Sequence, residues 1–171
     1  ASASHQVPLR FSVMIEPPAM RDKKGEKYLT HYFCKSHIPE AYVERRQTRT
    51  GYINVSCPEL TAVDLLTYQA KTGSVSRAAT VLAELTEKLD FGRLGADFVK
   101  EVPVTSLQRL GYILDEVLEE GEAAESLYSL LKCSGFVLQY VPLKAGKSSE
   151  GCERNAKWRI IVNETIEIDE L

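Results

Sequence analysis

Three groups of residues in this 171-residue chain have types and spacings that could do chemistry. His31-x-x-Cys34-x-x-His37 has the residue types of a zinc set. The spacing suits one helix face, but Tyr28 to Ser36 (YLTHYFCKS) is rich in aromatic and β-branched residues and reads as a strand. On a strand His31 and His37 point one way and Cys34 the other. Structural zinc also asks for four ligands, and only distant Cys57 or Cys152 could help. No metal site is expected. Asp64 lies beside an apolar helical face and could be catalytic. A structural role is favoured, either anchoring neighbouring backbone or pairing with an Arg, for which Arg109 and Arg159 are candidates because Arg grips carboxylate with two parallel bonds. The third group is basic. Arg45, Arg46 and Arg49 sit in one stretch, and Lys144, Lys147, Arg154, Lys157 and Arg159 in another. If the chain ends are neighbours, the two stretches form one positive face suited to DNA phosphates or a partner. A solvated surface accounts for the charge equally well.

Enzyme signatures are missing. A magnesium nuclease of the restriction type needs an Asp and then Glu-x-Lys on a following strand, and no expected strand carries that triple. G-x-S-x-G, P-loop and G-x-G-x-x-G motifs are also absent. The chain reads as non-enzymatic, with no catalytic residue and no cofactor.

The elements that position these groups hang from Ser56 to Tyr68. Ser56 and Glu59 stand in the S-x-x-E relation of a capping box. Pro58 suits a first helical turn, and Leu60, Val63 and Leu66 recur at helical spacing. That helix is expected from Pro58 to Ala70, stopping at Gly73. A second starts near Ser74 or Ser76, with Ala78, Leu82, Leu85 and Leu89 on one side. Asp90 caps a short third helix holding Leu94 and Phe98. Pro103 opens a fourth, where Gly111 costs about 1 kcal/mol against Ala, so a neighbour must pack close there. A fifth runs from Glu122 to Lys132. Strands are expected at Val7 to Ile15, Tyr28 to Ser36, Phe136 to Val141 and Trp158 to Asn163. Tyr42 to Arg46 and Tyr52 to Val55 form a hairpin candidate. Strands, then helices, then strands predicts an α+β fold: one domain over 1–171, with a largely antiparallel sheet from both chain ends covered by about five central helices.

Composition fits an ordinary water-soluble fold, at 44% hydrophobic and 26% charged. No apolar run suits a membrane span, and no signal peptide is visible. A cytoplasmic location and free thiols at the four cysteines follow. The formal charge is −3. Pro58 to Lys132 carries 7 basic and 13 acidic residues, so the helical block is acidic and its flanks slightly basic.

Four ordered runs carry a resemblance. They are Pro58 to Leu66 (PELTAVDLL), Ala79 to Leu85 (ATVLAEL), Leu107 to Leu114 (LQRLGYIL) and Trp158 to Asn163 (WRIIVN). Together, over about residues 52 to 168, they resemble the C-terminal domain of AbiEi-type antitoxins of type IV toxin–antitoxin systems, tied to abortive phage infection. The resemblance implies a regulator that binds operator DNA, represses its own operon and counters a nucleotidyltransferase toxin. It implies no catalytic residue. It places Glu59 and Asp64 in an organising motif helix and Gln108, Arg109 and Gly111 in a packed fourth helix, structural roles like the capping role of Ser56. The family's N-terminal winged helix-turn-helix is not found before Val7. The alternatives are a degenerate nuclease and a module that binds protein only.

Overall fold

The computed structural model describes residues 9–72 and 74–168. Val7, Pro8 and Gly73, to which the sequence assigned a strand start and a helix end, lie outside the described residues. The chain divides into two compact units, 1–41 and 42–171.

In the first unit, β1 (Leu9–Ile15) and β3 (Tyr28–Cys34) pair in parallel, with Leu9 opposite Tyr28 and Ile15 opposite Cys34. The short β2 (Lys23–Lys24) adds antiparallel to β3. The link between the long strands is tied down by acids. Asp22 accepts from Tyr32 N at 3.0 Å and pairs with His31 Nδ1 at 2.7 Å. Glu16 accepts from Ile38 N at 3.0 Å.

In the second unit, β4 (Val43–Thr48) and β5 (Gly51–Ser56) form the expected hairpin. Six α-helices follow: α1 (Pro58–Thr67), α2 (Gln69–Thr72), α3 (Val75–Leu85), α4 (Ala96–Glu101), α5 (Val104–Tyr112) and α6 (Gly121–Cys133). Asp90 caps a 3-10 turn at Phe91–Arg93 through Gly92 N. A π-helical turn, Ile113–Val117, continues α5. The chain ends on β6 (Val141–Pro142), β7 (Arg154–Asn155) and β8 (Ile160–Ile161), in the order β6-β8-β7. The fold is α+β, and among the described residues three of the five strand pairings are antiparallel.

Two expectations need correction. The strands do not join into one sheet: they make three small ones. The C-terminal strands expected at Phe136 to Val141 and Trp158 to Asn163 shrink to two residues each. The reason lies in α5. Gln108 Nε2 donates to Gln139 O at 2.8 Å and to Trp158 O at 2.9 Å, and Arg109 Nε donates to Pro142 O at 3.0 Å. Helix side chains thus take carbonyls that a sheet ladder would have used. The capping box is the second correction. Cys57 is the N-cap, its Sγ accepting from Leu60 N at 3.5 Å. Ser56 Oγ bonds Thr61 Oγ1 instead, and Glu59, one position early for a box, turns away.

Glu59 goes into the core. It is 0% exposed, yet it accepts from Asp90 N at 2.8 Å and from Arg93 Nη2 at 2.7 Å. Burial pushes its carboxyl pKa up, but the bonds from Arg93 and Asp90 outweigh burial and hold it below the ordinary value. Leu60, Val63 and Leu66 face the same core, with Leu82, Leu107, Leu110 and Leu127. The hairpin is rooted here as well. Cys57 N donates to Tyr42 O at 2.8 Å, and the Tyr42 ring meets Phe98 edge-on at 4.9 Å.

Gly111 has the close neighbour its place required: a Cβ there would fall inside the ring of Trp158. Trp158 is 0% exposed, and its Nε1 donates to Asp115 Oδ2 at 2.8 Å.

Two stability predictions follow from these contacts. Gly111→Ala should cost about 2–3 kcal/mol in a urea titration, overpacking against Trp158 and outweighing about 1 kcal/mol of helix propensity. A neutral or stabilised variant would refute the contact. At about pH 7, Arg93→Ala strands the Glu59 charge and should cost about 3–5 kcal/mol. Glu59→Gln, which leaves a half-exposed Arg93 to water, should cost less, about 1–3 kcal/mol. Because the wild-type carboxyl is depressed, its contribution is complete above the unfolded-state value and is lost as pH falls through the folded one. Without Arg93, burial raises that pKa, so the gap between Arg93→Ala and wild type should narrow on acidification. A gap unchanged between about pH 7 and 4 would contradict the ion pair.

Candidate functional site

The β4–β5 hairpin carries the first arginine group. Its register sets Arg45 opposite Asn54, Arg46 opposite Ile53 and Gln47 opposite Tyr52. The turn is Arg49-Thr50, closed by Thr48 Oγ1 donating to Gly51 O at 3.1 Å and accepting from Thr50 N at 3.3 Å. Gly51 sits at φ +143°, a conformation L side chains rarely adopt. Only the hairpin's root reaches the core, through Tyr42 and Val43. Residues 44–47 and 51–54 are exposed on both faces. Tyr52 is 58% and Ile53 52% exposed. Arg45 lies over the Tyr52 ring at 4.2 Å from its centroid, and Arg46 Nη2 donates to Glu44 Oε2 at 2.9 Å. Arg49 is exposed at the tip.

The second basic group is largely occupied. Lys144 and Lys147 both pair with Glu164, at 2.8 and 3.2 Å, and hold its carboxyl below the ordinary range. Lys157 pairs with Asp115 at 2.8 Å and Glu125 at 3.3 Å. Burial pushes the Asp115 carboxyl up, but the bonds from Lys157 and Trp158 bring it below its usual value. Arg154 and Arg159 both lie over the Tyr140 ring, at 5.3 and 5.1 Å. Arg159 takes φ +54° and donates Nη1 to the Tyr140 hydroxyl at 3.3 Å. The hairpin and β7, which carries Arg154, belong to separate sheets, and the other four C-terminal cations lie outside the strands.

Asp64 is buried on α1. The two arginines expected to meet it reach Pro142 O and the Tyr140 hydroxyl. Burial lowers the Arg109 pKa. Sequence reading missed Arg93 and Asp115. Arg93 meets Glu59 across 34 residues of chain, and no local spacing signals such a pair.

Among the described residues, no three His, Cys, Asp or Glu side chains gather to hold a metal ion. His31 pairs with Asp22, and the four cysteines are free thiols. A shallow cavity of about 250 Å³ is lined by Tyr128, Lys132, Phe136, Val137, Lys157 and Arg159, with other apolar residues, and no carboxylate, imidazole, serine or cysteine lines it. Among the described residues, no helix is long and apolar enough to cross a membrane.

Comparison with known proteins gives the family. The model of the AbiEi antitoxin C-terminal domain matches residues 2–116. The first three resembling runs fall inside that stretch, and Trp158 to Asn163 falls beyond it. No curated protein matches. Among solved structures, the fold is similar to that in "Crystal structure of RV2827C protein from Mycobacterium tuberculosis", with a TM-score of 0.57 and 17% identity over 92% of this chain. This chain spans 56% of the length of that one. With two thirds of its residues inside the family model, the chain belongs to the AbiEi antitoxin C-terminal domain family.

Proposed function

We propose that the chain is a non-catalytic antitoxin and regulator domain that contacts operator DNA through the β4–β5 hairpin and acts against a nucleotidyltransferase toxin. Family membership supports the antitoxin and regulator role. The observation that carries the DNA contact is a projecting ribbon with three exposed arginines, rooted in the core only at its base. The C-terminal cations contribute less, since Lys144, Lys147 and Lys157 already face carboxylates. Of the hairpin arginines, Arg46 is partly neutralised by Glu44. Arg45 and Arg49 have no carboxylate among the described residues. Phosphate binding of this kind weakens steeply with salt, because condensed counterions are released.

The test is duplex DNA binding by fluorescence anisotropy across a salt series. Arg45→Ala, Arg46→Ala and Arg49→Ala combined should weaken binding to all sequences and flatten the salt slope by about two. The triple Lys144→Ala, Lys147→Ala and Lys157→Ala should change the slope less. No binding by the wild type even near about 50 mM salt would remove the DNA half of this function.

A further inference from the structure

The register of the hairpin separates its side chains by task. Residues directly opposite in an antiparallel pair share a face, and alternate residues share it too. One face therefore shows Arg45, Gln47, Tyr52 and Asn54, and the other Glu44, Arg46 and Ile53. All seven are exposed. The back face is internally neutral, with Arg46 bonded to Glu44 at 2.9 Å. The front face is different. Its Arg45 lies over the Tyr52 ring at 4.2 Å from the centroid, a cation–π contact that leaves the guanidinium N–H donors free for a ligand. Beside it, the amides of Gln47 and Asn54 make no hydrogen bond among the described residues.

Guanidinium and carboxamide are the groups that read base edges. Arg matches the two acceptors of guanine, and Asn or Gln matches the acceptor and donor of adenine. The major groove, about 12 Å wide, admits a two-stranded ribbon. The narrow minor groove does not show these distinct patterns. A ribbon whose only function was to neutralise phosphates would not need two amides beside its arginine. Nor would it place a glutamate on one side, where it would repel phosphate oxygens. Glu44 instead disfavours the reversed orientation, with the back face toward the DNA.

We infer that the Arg45, Gln47 and Asn54 face of the β4–β5 hairpin enters the major groove of duplex DNA and reads base edges, Arg45 on guanine and the two amides on adenine. Arg49, at the tip, holds a phosphate. This rests on the DNA contact proposed above and adds sequence selectivity, with its residues, to it.

The experiment selects bound members from a random-sequence duplex pool with the full chain, then sequences them. Wild type should enrich a short motif containing guanine and adenine. Arg45→Ala should relax the guanine position, and Gln47→Ala or Asn54→Ala an adenine position, each by about tenfold in enrichment. Arg49→Ala should weaken all duplexes alike and lower the salt slope by about one. Ile53→Ala, on the back face, should leave the motif unchanged. All of these positions are exposed, and thermal melting checks that each variant is folded. Duplex binding without an enriched motif, or a motif untouched by the front-face changes, overturns the inference while the phosphate contact stands. Absence of all duplex binding overturns both.

Discussion

A carboxylate removed from water at the start of α1 governs the arrangement of the second unit. Glu59 can stay ionised in the core only because Arg93 and the Asp90 amide complete its hydrogen bonds. Satisfying it fixes the distance and angle between α1 and the 3-10 turn that precedes α4. That turn carries Phe91, fully buried, and brings α4 in with Phe98, against which Tyr42 packs. The root of the hairpin is thereby held by a charge pair two steps away. The hairpin itself needs this support, because an isolated two-stranded ribbon is barely stable in water. Among the described residues, its outer positions are exposed on both faces.

A second set of polar ties closes the other end. Gln108 and Arg109 on α5 reach carbonyls of the C-terminal segment, and Asp115 and Glu116 on the π turn reach Trp158 Nε1 and Asn155 Nδ2. A π turn carries more residues per turn than the α-helix before it, and that offset brings both acids to one neighbouring segment. The segment is seated by side chains more than by strand pairing, which is why its strands are so short.

This division explains what could be read from the amino acids alone. Helix existence was legible because Leu60, Val63 and Leu66, or Ala78 and Leu82, keep helical spacing, and Ser74 caps as a start residue should. The hairpin was legible from its two β-rich runs around Gly51. Gly111 was legible as a close contact, because a glycine inside a helix has a cost that packing must offset. The partners were not. Ser56 and Glu59 fit a capping pattern, but a cysteine thiol took the cap and a distant arginine took the glutamate. Likewise, the strand propensity of Trp158 to Asn163 was real, yet the acceptors along it were claimed by amide and guanidinium donors from α5. Local spacing carries backbone geometry well and carries no information about which remote side chain wins a hydrogen bond. The two basic groups looked equivalent as sequence. They separate only once Glu164, Asp115 and Glu125 are seen beside the lysines.

Trp158 is the chain's one tryptophan, and it lies wholly inside the joint between the C-terminal segment, α5 and α6. Its indole is edge-on to Tyr128 at 5.3 Å, with its N–H held by a carboxylate. The protein therefore contains its own optical probe. Emission from that indole reports whether the tail is seated on the helices, and it is placed to stay silent about the ribbon, whose aromatic is a tyrosine.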